Sequence, residues 1–210
     1  MDYLNYFITA FTTIFVIVDP PGNIPMFIAL TESLDHELRE RVSKRATLIG
    51  ASLLIVLAIS GGLLLKVFGI TIDGLRIAGG ILLFAVALDI LSGSRSKEIY
   101  TKRGLEHIDV DSLAVFPIAL PLYTGPGAIT AAIVLNSEAN DPIAKLLLIT
   151  AIALVYLIVR LTHVYSEGII RVLGKSGSDI VARVMAIFLA AIGVEFVFAG
   201  LAGKLKAILR

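Results

Sequence analysis

Two short stretches hold the residues with the clearest chemical potential. Asp19-Pro20-Pro21-Gly22-Asn23 and Thr124-Gly125-Pro126-Gly127-Ala128 each interrupt a long apolar run. A proline removes a backbone donor and crowds the carbonyl four residues before it, so two adjacent prolines, or a Gly-Pro-Gly, break a helix. The half-helices that restart at Gly22-Asn23-Ile24 and Gly127-Ala128-Ile129 then present unpaired amides at a positive dipole end, which suits an anion such as a carboxylate. Their glycines allow close approach to the backbone. The same prolines free the carbonyls of Val16, Ile17 and Leu122, which suit an ammonium group or a cation. Donors and acceptors side by side are what a small zwitterion requires.

Asp19 is the sharpest single residue, the only charge between Phe7 and Leu30. A carboxylate halfway across a membrane costs roughly 2.5–3.5 kcal/mol on insertion scales, so it must face protein or water and have a partner. It can bind a substrate ammonium, carry a coupling proton because desolvation favours its neutral form, or cap the half-helix that follows. The candidate substrate-binding residues are therefore Asp19, Pro21, Gly22, Asn23, Thr124, Gly125, Gly127 and Ala128, with Asp19 also the candidate ion-coupling group. No Lys or Arg lies at mid-span, so a bound carboxylate is expected to rely on backbone amides, limited by the space above the glycines.

The elements that must position these residues follow from composition. Of 210 residues, 57% are hydrophobic and 17% charged, with mean hydropathy +0.92. A soluble domain carries roughly a quarter charged residues. Here the charges cluster between apolar runs, the layout of a polytopic membrane protein. A net charge of +1 offers no field for nucleic acid. The absence of cysteine excludes disulfides, thiolate metal sites and cysteine nucleophiles. The start, Met1-Asp2-Tyr3, lacks the basic region of a secretory signal, so the first apolar run is expected to be kept.

Six apolar runs of 17 to 24 residues predict six transmembrane helices: Phe7 to Leu30, Ala46 to Phe68, Leu75 to Leu91, Leu113 to Leu135, Ile143 to Leu161 and Ile180 to Leu201. The two breaks fall near the centres of the first and fourth. Pro21-Gly22-Asn23-Ile24-Pro25 aligns with Pro126-Gly127-Ala128-Ile129-Thr130 at an offset of 105 residues, and Phe68-Gly69-Ile70 with Leu173-Gly174-Lys175 at the same offset. At 107, Arg76 meets Arg183 and Gly93 meets Gly200. The chain reads as a single transmembrane domain of two three-helix repeats, 1–105 and 106–210. Because three is odd, the second repeat is inverted, and the broken helices 1 and 4 should meet at the midplane. The expected fold class is an all-α membrane protein built on this inverted repeat, an architecture suited to alternating access.

The connections after spans one, three and five, with adjoining ends, hold twelve Lys and Arg; the other face holds six. The positive-inside rule places both termini outside, extracellular or periplasmic. Arg76 and Arg183 snorkel at span ends, or Arg76 pairs with Glu195. Asp89 is wet. Small residues at Gly74/Ala78 and Ala186/Ala190 suit close helix packing, and Gly61-Gly62 and Gly79-Gly80 are packing points or hinges. Enzyme motifs are missing: His36-Glu37-Leu38-Arg39-Glu40 is not His-Glu-x-x-His, and no Gly-x-Ser-x-Gly or phosphate-binding loop occurs. The stretch Glu106 to Asp111 could hold a metal but reads as solvated, and His163 reads as interfacial. The expectation is no enzyme, no catalytic residue, no metal and no cofactor. Without an ATP site, transport must draw on an ion gradient, H⁺ or Na⁺.

The ordered motifs resemble those of a known family. Asp19-Pro-Pro-Gly-Asn-Ile-Pro-Met-Phe27, Phe68-Gly-Ile-Thr71 with Leu75-Arg-Ile-Ala-Gly-Gly-Ile-Leu-Leu-Phe84, and Pro117-Ile-Ala-Leu-Pro-Leu-Tyr-Thr-Gly-Pro-Gly-Ala-Ile-Thr130 are similar to the three signatures of the MarC/SnatA integral membrane proteins. The likeness covers nearly the whole chain; Tyr123-Thr124 departs from it, standing where smaller residues are commoner. It implies a six-helix, multi-pass protein of the cell (inner) membrane. For the SnatA type it implies secondary transport of small neutral amino acids, glycine and alanine foremost. The expected partners are then a small amino acid substrate and membrane lipid, with no nucleic acid and with room for a homo-oligomer. The alternative is a channel-like facilitator or exporter of small molecules, in which the paired half-helices line a continuous pore.

Overall fold

The computed structural model describes residues 2–92 and 110–209. Among these every element is helical: α1 (Tyr3–Val18), α2 (Ile24–Thr31), α3 (His36–Val67), α4 (Ile72–Ser92), α5 (Val110–Leu113), a wide-turned segment (Ala114–Tyr123), α6 (Pro126–Glu138), α7 (Pro142–Val164) and α8 (Ser166–Ile208). Four helices are long and apolar enough to cross a membrane: His36–Val67, Ile72–Ser92, Pro142–Val164 and Asp179–Ile208. A fifth span is made if Val110–Tyr123 and Pro126–Glu138, bent by 63° at their junction, count as one.

The expected span Phe7 to Leu30 is broken, as its Asp19-Pro20-Pro21-Gly22-Asn23 stretch predicted. It is α1, of 16 residues, and α2, of 8, separated by the turn at 19–23. At 1.5 Å per residue α1 is about 24 Å long, short of the ~30 Å hydrocarbon core. By length and composition the described chain therefore offers four or five spans where six were expected. The division at 105/106 lies outside the described residues.

Helix ends also depart from the apolar runs. The connections expected to be loops before spans two and six are largely helical, because caps and propensity set where a helix starts, whereas hydropathy marks only the part in lipid. Asp35 caps α3 by accepting from the Leu38 amide (2.8 Å), about eleven residues before the apolar stretch, with Glu37 in the first turn. Asp141 does the same for α7, accepting from Ala144 N–H (2.9 Å). That amide bond holds the Asp141 carboxyl below its usual range, and the Tyr3 hydroxyl donates to it at 3.2 Å, tying the start of α1 to the start of α7. α8 begins at Ser166 and is kinked at Gly174, whose φ is 67°. Gly69, between α3 and α4, has φ 65°. These are the two glycines that the offset of 105 aligned, and only glycine adopts this conformation without steric penalty.

The interior is built from small and β-branched side chains, with Ala10, Ala46, Ala87, Ala119, Ala131 and Ala151 fully buried. Large apolar residues such as Val56, Leu63, Leu146, Leu157, Ile187 and Phe198 point outward. Without water, hydrophobic burial does not drive helix association, so small residues gather where backbones must approach and bulky ones face lipid. α4 packs along α8, and α1 against α7. The double glycines are packing points. A Cβ on Gly61 would collide with Ile133, one on Gly79 with Thr130, and one on Gly80 with the Gly193 carbonyl, whereas Gly62 faces open space.

Candidate functional site

The first break is built around Asp19. Its backbone is left-handed (φ 48°, ψ 62°), ending α1 with its N–H still bonded to the Phe15 carbonyl (2.9 Å). Asp is among the few non-glycine residues that tolerate this region. The turn folds its carboxylate over Gly22, whose amide donates to Asp19 Oδ1 at 3.1 Å. Any Cβ on Gly22 would run into that carboxylate. Asn23 donates from its side chain to the Val18 carbonyl (2.9 Å), covering the end of α1. Asp19 and Asn23 are both buried, each 7% exposed, while Pro21 and Gly22 are half-buried. Asp19 thus holds the turn through the Gly22 amide, while α2 itself starts at Ile24 behind Asn23 with no side-chain cap bond.

The second break lies at Thr124-Gly125. Phe116 and Leu120 take extended backbone angles because each precedes a proline, whose ring excludes the helical region for the residue before it. The segment closes with the Thr124 amide on the Ala119 carbonyl (2.9 Å), and α6 restarts at Pro126, with Pro at a position that needs no donor. Gly125 has no side chain with which to cap α6. Thr124 is fully buried and its hydroxyl is committed. It donates to the Gly50 carbonyl (3.3 Å), so at 2.5 Å the Tyr156 hydroxyl donates to it. Gly50 is required there, because a Cβ would stand 2.6 Å from the Tyr156 ring.

The two breaks are neighbours. A Cβ on Gly127 would strike Leu83 of α4 and lie 3.7 Å from Ile17 at the end of α1. Ala128 is buried beside them. The space above the two glycines is not open, as the sequence led us to expect. The Asp19 carboxylate fills it at Gly22, and Leu83, itself buried, fills it at Gly127.

One expectation about charge is corrected. Arg76 pairs with Glu138 (2.5 Å) and Asp73 (3.5 Å), and Glu195 is exposed on α8. The hydropathy pattern could not reveal Glu138, since the partner lies across the bundle at the end of α6. Because the Glu138 side chain is 46% exposed, solvent screens the pair to about 0–1 kcal/mol. Arg76→Gln is therefore expected to lower the melting temperature by no more than about 4 °C, measured by thermal unfolding in detergent; a loss of 10 °C or more would assign it a larger role.

His163, at the end of α7, is 3% exposed and enclosed by protein groups. Ser43 Oγ lies 2.8 Å from Nδ1 and the Tyr123 hydroxyl 2.7 Å from Nε2. The Phe27 ring stacks on the imidazole, with centroids 3.6 Å apart and planes within 5°. Arg160 donates to Ser43 (2.9 Å) and to Glu40 (2.8 Å), and Arg39 pairs with Glu167 (2.5 Å). Between α2, α3, α7 and α8, Phe27, Arg39, Glu40, Ser43, Arg160, His163 and Glu167 line a cavity of about 130 Å³. The acidic stretch from Glu106 lies outside the described residues as far as Asp109; Asp111 pairs with Arg45.

The sequence matches the pattern described as MarC family integral membrane protein over residues 4–205. It is 61% identical over 203 residues to a UPF0056 membrane protein of Archaeoglobus fulgidus, covering 97% of this chain and 95% of that one. It is 34% identical to the UPF0056 membrane protein YhcE of Escherichia coli, covering 99% and 97%. A UPF0056 membrane protein of Aquifex aeolicus is also 34% identical, over 95% of this chain and 94% of its own. No solved structure matches.

Proposed function

Since the chain belongs to the MarC family of integral membrane proteins, we propose that it is a secondary active transporter of small neutral amino acids, glycine and alanine first. It works by alternating access, driven by an H⁺ or Na⁺ gradient, and is a carrier rather than an enzyme. The observation that carries this reading is the meeting of two helix breaks inside the bundle, one with a buried carboxylate and the other with an uncapped helix start. A zwitterion needs an acceptor for its ammonium and donors for its carboxylate. Asp19 with the carbonyls ending α1 supplies the first, and the amides of Gly127 and Ala128 the second. With the glycines covered, the geometry suits an occluded state, and opening requires Asp19 and Leu83 to move.

On this reading α1 with α2 and the bent α5–α6 segment are the broken first helices of two inverted three-helix repeats. The matching positive φ angles of Gly69 and Gly174 support that symmetry. The chain would sit in the cell membrane with both termini outside, its Lys- and Arg-rich connections in the cytoplasm.

The test is uptake by purified protein in liposomes. Labelled glycine or alanine should accumulate above its external concentration under an imposed H⁺ or Na⁺ gradient, and an ionophore that collapses the gradient should abolish accumulation. Equilibration without accumulation would favour a channel-like facilitator instead, and indifference to every small neutral amino acid would overturn the reading.

A further inference from the structure

Arg39 on α3 and Arg160 on α7 both line the cavity between α2, α3, α7 and α8. Each pairs with a carboxylate, but cation and acid differ in depth. The Arg39 side chain is 18% exposed and that of its partner Glu167 68%; for Arg160 and Glu40 the values are 20% and 58%. The guanidiniums lie inward and the acids reach toward solvent. A guanidinium carries five N–H groups. Arg39 spends two, on Glu167 and the Thr31 carbonyl, and its Nε is buried without a partner. Arg160 spends two, on Ser43 and Glu40. The inner part of the cavity is therefore rich in uncommitted donors.

Ser166 is an independent sign of a ligand. It starts α8 and lines the same cavity. It is 1% exposed, yet among the described residues its hydroxyl has no hydrogen-bond partner. Ser43 is equally buried, but its oxygen receives a bond from Arg160 and lies 2.8 Å from His163 Nδ1. Buried polar side chains are as a rule bonded, so the Ser166 hydroxyl is left for an occupant of the cavity. No side chain caps α8 either, and its positive end adds to the pull on an anion.

We propose that this cavity is a second binding site for the transported amino acid, with the substrate carboxylate held by Arg39, Arg160 and the Ser166 hydroxyl and the ammonium turned outward to Glu40 and Glu167. This deepens the transport reading above and rests on it. Two arginines and two glutamates balance in the lining, so a zwitterion preserves neutrality where a simple anion would not. At about 130 Å³ the space is well below the ~300–1,000 Å³ of sites for drug-sized ligands and suits a molecule of a few heavy atoms. Its position suits a station on the transport path. Arg39 and Ser166 flank the connections after the first and fifth expected spans, on the Lys- and Arg-rich face. Phe27 in the cavity wall is one turn beyond the first break, its amide bonded to the Asn23 carbonyl (3.0 Å). A shift of α2 that opens the breaks thus moves a wall of this site as well.

The experiment measures binding of labelled glycine to the purified protein in detergent by equilibrium dialysis. Binding should saturate at two glycines per chain, in two phases. Ser166→Ala should weaken one phase at least about tenfold, as loss of a hydrogen bond to a charged group does, and leave the other within twofold. Arg39→Gln should remove the same phase, and Asp19→Asn should weaken the phase that Ser166→Ala spares. If Arg39→Gln fails to fold, Ser166→Ala decides the matter, because its hydroxyl holds no protein group. Acetate and inorganic phosphate should displace glycine from the Ser166-sensitive phase at least about tenfold less well than unlabelled glycine; equal displacement by either would make the cavity a plain anion site and overturn the proposal. One glycine per chain, bound by Ser166→Ala within twofold of wild type, overturns the second site alone. No bound glycine and no accumulation in liposomes of any small neutral amino acid overturns the transport reading with it.

Discussion

Asp19→Asn is expected to leave a folded protein that no longer accumulates substrate. Asparagine tolerates the left-handed backbone found at this position (φ 48°) and keeps an oxygen to accept from the Gly22 amide. The turn that restarts the chain at α2 therefore survives, and the melting temperature should move by only a few degrees. What is lost is the charge and the titratable proton. Asp19→Ala removes both the cap and the tolerance for positive φ, costing about 1 kcal/mol for each, so it should be visibly less stable than Asp19→Asn. The paired measurement, unfolding in detergent and gradient-driven uptake in liposomes, separates shape from charge. If Asp19→Asn accumulates glycine at the normal rate with the normal pH dependence, Asp19 is a cap only and coupling lies elsewhere.

That both helix breaks could be found in the sequence reflects how local their cause is. Pro20-Pro21-Gly22 and Gly125-Pro126-Gly127 impose their effect on residues a few positions away, whatever the rest of the molecule does. The alignment of Gly69 with Gly174 was legible for the same reason: the chain conformation at each demands a residue without a Cβ. Helix ends were less legible. Residues 36–45 and 166–179 are charged enough to read as connections, yet they continue α3 and α8, because charged residues are good helix formers where caps permit. His163 was illegible in principle. Nothing within ten residues of it in sequence announces that Phe27, Ser43 and Tyr123, from three other elements, will enclose it. Arg76 is similar, since Glu138 stands 62 residues away. Burial and partnership are tertiary facts, and hydropathy reports only which stretches avoid water.

Gly193→Val is expected to be among the most destabilising single substitutions in the chain, and Gly62→Val nearly silent. At Gly193 a Cβ would lie 2.7 Å from the Gly80 carbonyl oxygen and 3.0 Å from the Phe84 amide nitrogen. Both are backbone atoms of α4, so no side chain can swing aside; α4 and α8 must part. The opposing surface is equally fixed, because a Cβ on Gly80 would meet the Gly193 carbonyl and stand 3.0 Å from the Val197 amide. Close backbone approach is the main source of attraction between helices in lipid, so separating them forfeits dispersion contacts along the pair. Overpacking of this kind costs about 1–3 kcal/mol, which for a chain of this size corresponds to a fall in melting temperature on the order of 5–10 °C. At Gly62 a Cβ meets nothing within 4 Å. There valine only trades one poor helix former for a better one, gaining a few tenths of a kcal/mol at most. The comparison controls for hydrophobicity and volume, since both variants add the same side chain to an apolar helix. Equal melting temperatures for the two would mean that α4 and α8 are not in the backbone contact on which their packing depends.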